Sequence, residues 1–227
     1  MNNFQDYKKQ WIKKESATET KKRAARIYDI LLATYPHSGM MLAYETPVQL
    51  LVAVMLSAQC TDKKVNEVTK NLFKKYKTAA DFANAQPHIF EKEIYQTGFY
   101  KAKTKHIIAT AKILEKKFSG ILPSSIEDML VLPGVARKTA NVVLGNAYGI
   151  VEGIAVDTHV SRIAQRLGLT KHLPPEKIER DLMILFSKKK WFHLTYLFIE
   201  HGRALCSSRK PHCDRCPLKK ICPSSFV

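Results

Sequence analysis

The chain lacks a long apolar run. The longest clean one, Leu50–Leu56, falls far short of the ~18 residues a membrane span requires. The opening MNNFQDYKKQWIKKE has neither an apolar core segment nor a small-residue cleavage site, so no secretory signal is expected. Acidic residues are scarce, 20 against 37 basic ones, which leaves a formal net charge of +17. Such an excess predicts attraction to a polyanion, either nucleic acid or an anionic membrane surface. The lysines are scattered over several stretches instead of lining one amphipathic face, which argues against the membrane. Period-2 alternation, internal repeats and low-complexity tracts are also missing, so a sheet or a solenoid is not expected.

Cysteine is sparse as well, five in 227 residues, yet four of them crowd the last 22 positions. Cys206, Cys213, Cys216 and Cys222 are separated by six, two and five residues. So short a tail cannot bury a core of its own, but four thiolates can wrap one metal centre. Zinc ribbons present two CxxC-type pairs, and here only Cys213 and Cys216 form one. A single CxxC with an outlying cysteine on each side favours a [4Fe–4S] cube, which takes one thiolate per iron. Two disulfides would need an oxidising compartment, and a reduced cytoplasmic setting is expected instead. The fifth, Cys60, lies in an otherwise helical stretch and is expected to be a small buried residue.

What is present is helical patterning throughout. Val48, Leu51, Val52, Met55 and Leu56 make one stripe, and Gln59, eleven residues beyond Val48, falls on the same stripe. Asp62 is a candidate N-cap for the next helix, whose stripe is Val65, Val68, Leu72, Phe73 and Tyr76. Ile107, Ala111, Leu114 and Phe118 make another, ended by Gly120. Ile178, Leu182, Leu185 and Phe186 make a later one, approached by Pro174 and Pro175. The first 20 or so residues are polar and lysine-rich, and read as a mobile or loosely helical extension.

Leu132-Pro133-Gly134-Val135-Ala136-Arg137-Lys138-Thr139-Ala140-Asn141 follows an amphipathic stretch, Ile126 to Leu132, that Ser124 or Ser125 could cap. Pro133 and Gly134 break the chain before a second helix begins, giving helix, tight hairpin, helix. The second helix starts with backbone N–H groups at its positive dipole end, a seat for a phosphate. Gly134 lets the backbone approach that phosphate without a Cβ in the way. An isolated Pro-Gly corner would mean little, but this segment intact in so basic a chain points to DNA backbone binding.

The hairpin LPGVARKTANVVL, the downstream VDTH and the terminal cysteine spacing together resemble the endonuclease III family of helix-hairpin-helix DNA glycosylases. LLVAVMLSAQCTD and GFYKAK match family stretches too, and the resemblance spans roughly residues 21 to 223. It implies that Lys138 is the catalytic lysine. Its amine would attack C1′ of a damaged nucleotide, displace the base and leave a Schiff base. The attack needs the neutral amine. The helix end, Arg137 and burial against a flipped nucleotide would each disfavour the charged form.

The resemblance further implies that Asp157 stabilises positive charge developing on the sugar and assists proton transfers. Asp157 is also well suited to cap the helix that follows, and His159 beside it is either a structural hydrogen-bonding group or a contact near the site. Enzymes that act on a base in duplex DNA must extrude it and fill the gap. The family positions that do so match Gln59 and Phe99, while Asp62 matches an acidic residue in or near the family pocket. Gly134, Ala136 and Arg137 in the hairpin, and Arg209 and Lys210 in the cysteine segment, are expected phosphate contacts. Such contacts position the protein and carry no sequence information. One departure stands out. The family's usual glycine after Val135 is Ala136, strained if that backbone needs a positive φ and tolerated if it already enters the helix.

Adenine-excising relatives lack the lysine and carry an acidic residue where this chain has Ala53, so they fit less well. A non-catalytic, metal-stapled DNA-binding module would not need Lys138 and Asp157 together. The expectation is therefore an all-α protein of two helical lobes, with a helix-hairpin-helix motif, a C-terminal [4Fe–4S] cluster loop and DNA in the cleft between lobes. Residues 1–39 form the extension and first helix, packing with the C-terminal lobe. Residues 40–150 form a bundle ending in the hairpin, and 151–227 the C-terminal helices and cluster loop. The expected activity is excision of oxidised pyrimidines plus cleavage at the abasic site by β-elimination. The expected partner is double-stranded DNA carrying damaged bases or abasic sites, met by a cytoplasmic, nucleoid-associated monomer.

Overall fold

The computed structural model describes residues 9–227, and among them the chain forms α-helices, short 3₁₀ turns and no strand. In chain order the helices are α1 (Ala17–Thr34), α2 (Pro47–Leu56), α3 (Asp62–Lys75), α4 (Ala79–Ala83), α5 (Pro87–Ile94), α6 (Tyr100–Phe118), α7 (Ile126–Leu130), α8 (Arg137–Tyr148), α9 (Thr158–Arg166), α10 (Pro175–Leu185) and α11 (Lys188–Ala204). Among the described residues no helix is long and apolar enough to cross a membrane. The chain divides into two compact units. One is Met40–Glu152, with α2 to α8; the other joins the residues up to Gly39 to Gly153–Val227, with α1 and α9 to α11.

In Met40–Glu152 four helices, α2, α3, α4 and α7, start where the sequence supplies a side-chain acceptor. Thr46 and Gln49 form a capping box at α2, with Pro47 in its first turn, and Thr78 and Asp81 do the same at α4. Each box satisfies N–H groups that a helix start leaves without partners. Leu50, Leu51, Ala53 and Leu56 of α2 are fully buried, so this helix runs through the unit's core. Burying each leucine contributes roughly 2 kcal/mol. Gln49 is buried too, and its Nε2 donates to the carbonyls of Phe73 (3.3 Å) and Tyr76 (3.2 Å), tying the end of α3 to α2. Tyr76 stacks on Phe82 with ring centroids 5.3 Å apart, and Phe90 meets both edge-on.

Three expectations fail here. The α2 stripe does not reach Gln59, because α2 ends at Leu56 and residues 57–60 form a turn. Cys60 accordingly sits half-buried in that turn, against the core but outside a helix. The cap of α3 is Thr61, whose hydroxyl accepts from the Lys64 N–H at 3.3 Å, and not Asp62. Asp62 is the first helical residue, where its charge complements the dipole.

In the other unit α1 and α9 each pack against α10 and α11, around Ile27, Leu31, Ile163, Leu182, Leu194 and Phe198. Ser16 and Glu19 cap α1 reciprocally. The part of the basic extension within the described residues is helical in part, with a 3₁₀ turn at Gln10–Lys13 and α1 from Ala17, and it is tied down. The Lys9 N–H donates to the Pro223 carbonyl at 2.7 Å, and the Arg23 guanidinium pairs with Glu15 at 2.7 Å while donating to the Leu167 carbonyl at 2.6 Å. Arg23 is buried, so it needs both partners, and its hydrogen bonds hold the Glu15 carboxyl below its usual range. The first eight positions of the expected extension lie outside the described residues.

Candidate active site

The hairpin is built by α7, the turn at residues 131–136 and α8. Ser125 caps α7, accepting from the Asp128 N–H at 3.1 Å. The Val135 N–H then closes the turn on the Leu132 carbonyl at 3.1 Å. Gly134 has φ +77°, and a Cβ there would meet the His106 side chain at 3.0 Å. Glycine is required on both counts. Thr110, also on α6, donates its hydroxyl to the Pro133 carbonyl at 2.8 Å. Ala136 has φ −95° and ψ 169°, an ordinary helix entry, so alanine in place of the family's glycine carries no strain.

No side chain caps α8. Its first turn, beginning Arg137-Lys138, keeps the positive end of the helix dipole in the open. Gly134, Ala136, Arg137 and Lys138 are all exposed.

Gln59 and Phe99 share an unusual backbone. Among the described residues only Gln59 (φ 53°), Phe99 (φ 48°) and Ser119 (φ 52°) are non-glycine residues at positive φ. Left-handed backbone is disfavoured for side chains with a Cβ and gathers at functional positions. Both side chains are exposed, Phe99 to 65 %. Gln59 stands in the turn after α2, and Phe99 at the N-cap position of α6.

Asp157 caps α9, its Oδ1 accepting from the Val160 N–H at 2.8 Å. The carboxylate is half-buried and fixed in orientation. His159, the second residue of α9, places Nδ1 3.1 Å from the Arg162 guanidinium. Gly202 on α11 gives both groups room, since a Cβ there would come within 2.8 Å of each.

The four tail cysteines line one cavity with Ile163, Leu167, Leu205 and Leu218. No disulfide joins them. Burial pushes the thiol of Cys216 up to about 11 and that of Cys222 up to about 12. Arg166, itself buried, donates to the Cys206 sulfur (3.2 Å) and to the carbonyls of Ser207 (2.7 Å) and Ser208 (2.8 Å). Arg162 adds a bond to the Cys206 carbonyl at 3.1 Å. His201 is buried, its pKa lowered to about 4, and it sits 3.7 Å from the Cys216 sulfur and 3.2 Å from the Tyr35 hydroxyl. Among the described residues no three Cys, His, Asp or Glu groups are grouped as a single ion requires. Four thiols lining one cavity, with the Arg166 guanidinium beside the Cys206 sulfur, are a donor set that could hold a metal centre. Arg209 and Lys210 of this loop are exposed.

The family model described as HhH-GPD superfamily base excision DNA repair protein matches residues 52–188, a span that holds the hairpin and both positive-φ turns. The chain belongs to this superfamily. Endonuclease III of Synechocystis sp. is 49% identical over 205 residues, covering 90% of this chain and 94% of that protein. Endonuclease III of Bacillus subtilis is 40% identical over 189 residues, with 83% and 86% covered. The fold is also similar to that of an endonuclease III in a non-covalent DNA complex, with a TM-score of 0.87 at 37% identity, covering 90% of this chain and 96% of that one. A trapped covalent endonuclease III–DNA intermediate superposes equally well, with a TM-score of 0.87.

Sequence reasoning missed several HhH-GPD side chains that hold the site's parts in place. Arg162, Arg166 and His201 support the cysteine loop, and His106 and Thr110 support the hairpin. Lys103 is buried and donates to the carbonyls of Leu56 (2.7 Å) and Thr97 (2.8 Å). In a chain with 37 basic residues, nothing in the sequence marks a particular lysine or arginine as buried. The only signal for Lys103 was its place within GFYKAK.

Proposed function

We propose that Lys138 is the nucleophile through which this chain acts as a bifunctional base-excision enzyme. The protein is a DNA glycosylase on oxidised pyrimidines and an AP lyase working through a lysine Schiff base. The observation that carries the residue assignment is the exposed lysine in the first turn of the uncapped α8, directly after the Pro133-Gly134 turn. A phosphate seated at that helix end would hold the nucleotide's backbone beside the amine.

The Lys138 Nζ attacks C1′ as the neutral amine. The C1′–N bond to the base breaks, and the base leaves with that electron pair and takes up a proton. Loss of the amine's proton and opening of the sugar leave an imine at C1′. Removal of a C2′ proton then expels the 3′ phosphate by β-elimination, and water releases the lysine. Asp157 stabilises the positive charge developing on the sugar and moves protons in these steps. Its capping bond to Val160 supports the role, because a carboxylate held in one orientation needs no reorganisation. Gln59 and Phe99 fill the gap left by the extruded nucleotide. Gly134, Ala136, Arg137, Arg209 and Lys210 contact phosphates and position the duplex.

Cys206, Cys213, Cys216 and Cys222 hold a [4Fe–4S] cluster. Bound there, the cluster would supply a rigid anchor for the loop that presents Arg209 and Lys210. The protein works as a monomer on damaged duplex DNA in the cytoplasm, at the nucleoid. The deciding assay is single-turnover reaction on a duplex with one thymine glycol. The parent releases the base and nicks the strand. Lys138→Ala binds the duplex but loses both activities, by about a thousandfold or more. Equal activity in that variant would remove Lys138 from the chemistry.

A further inference from the structure

Among the described residues Lys103 is the only buried lysine, 6 % exposed on α6. A buried ammonium is unfavourable unless it is hydrogen-bonded. This one is bonded to two particular carbonyls. Leu56 is the last residue of α2, and the chain reaches Gln59 three residues later. Thr97 ends the short 3₁₀ turn Tyr95–Thr97, and the chain reaches Phe99 two residues later. Both carbonyls lie where the backbone leaves helical geometry for a positive φ, so continuing helical N–H groups cannot satisfy them. The ammonium takes that place for both, at 2.7 Å and 2.8 Å. One cation therefore clamps the bases of the two turns that carry the strained, exposed side chains.

We infer that Lys103 is a positioning residue for base extrusion, locking the Gln59 and Phe99 turns together in the conformation that enters the duplex. This rests on the proposal that those two side chains fill the vacated stack. A left-handed residue persists only when its surroundings over-determine it. With the clamp removed, each turn can relax, and the pair no longer arrives as one preformed wedge. Burial lowers the pKa of Lys103, and the Cys60 sulfur in the first turn opposes that only in part.

The test uses the full chain in two reactions. One is single-turnover release of thymine glycol from duplex DNA, which needs extrusion. The other is borohydride trapping on a single-stranded abasic oligonucleotide, which does not. Lys103→Met should slow the duplex reaction about tenfold, the scale of releasing one strained turn, and leave single-strand trapping within about twofold. In a Gln59→Ala/Phe99→Ala background, Lys103→Met should add less than about twofold, because coupled residues are not additive.

Equal losses on both substrates would make Lys103 a general brace of the fold and overturn the assignment. So would a full tenfold loss in the double-alanine background, or a Lys103→Met variant that matches the parent on duplex DNA. If the double-alanine variant itself matches the parent, the wedge reading fails separately. Should Lys103→Met not fold, Lys103→Gln replaces it. Its shorter amide reaches one carbonyl but not both, so a partial duplex-only loss is expected and parent-like extrusion would contradict the clamp.

Discussion

The two units hold their proposed functional side chains by different means. In Met40–Glu152 the exposed positions stand at turns of left-handed backbone, Gly134 at φ +77°, Gln59 at φ 53° and Phe99 at φ 48°, with Lys103 holding the last two from beneath. In the other unit side chains reach back to the backbone, as Asp157 does to Val160 and Arg166 to Ser207 and Ser208. The starts of α8 and α9 show the contrast most sharply. The first carries no capping side chain, and the second is closed by a carboxylate. An open helix end keeps its dipole for an incoming phosphate, whereas a closed one fixes the orientation of the group that closes it.

Substitutions that separate orientation from charge would sharpen this comparison. Asp157→Asn preserves a good N-cap, so thermal stability should hold while single-turnover base release falls about 10²-fold or more. Asp157→Ala should lose the same activity and a further ~1 kcal/mol of stability with the cap. Equal melting temperatures for the two variants would contradict the closed-end account.

Arg166→Met tests the side-chain side of the contrast. It removes the bonds that a buried guanidinium donates to the Cys206 sulfur and to the carbonyls of Ser207 and Ser208, and should destabilise the fold by about 2 kcal/mol, read by chemical denaturation. Gly134→Ala tests the backbone side. Its positive φ and the 3.0 Å approach of His106 should cost about 1–2 kcal/mol and weaken duplex binding in a salt titration. The smallest effect is expected at Glu15. Its folded carboxyl is held below the ordinary 4.5 by Arg23, so the pair's stabilisation is complete above that value and is lost as pH falls through the folded one. Glu15→Gln should flatten that acid limb of the stability curve.

The sequence made the helix cores legible because apolar spacing at α2, α3, α6 and α10 is a local signal. The Pro133-Gly134 turn, the Asp157 cap and the cysteine spacing were legible for the same reason. Helix ends were less so. Gln59 fits the α2 stripe arithmetically, yet the chain leaves the helix at Leu56 for a clamp on Lys103, a contact 47 residues away. Asp62 and Thr61 are both good caps, and only the geometry selects Thr61. Arg166, His201 and Lys103 escaped notice because burial is a tertiary property. The first 20 or so residues read as mobile or loosely helical; from Lys9 on they carry a 3₁₀ turn, Gln10–Lys13, and the start of α1, and Glu15 finds Arg23 while Lys9 finds Pro223.

The most direct test of Lys138 as nucleophile is to trap the parent on thymine glycol duplex with borohydride, digest the adduct and locate the modified residue by mass spectrometry. The account predicts a single deoxyribose remnant on the Lys138 Nζ, and no trapped complex from Lys138→Ala. An adduct mapped to another lysine, or trapping undiminished in that variant, would contradict it.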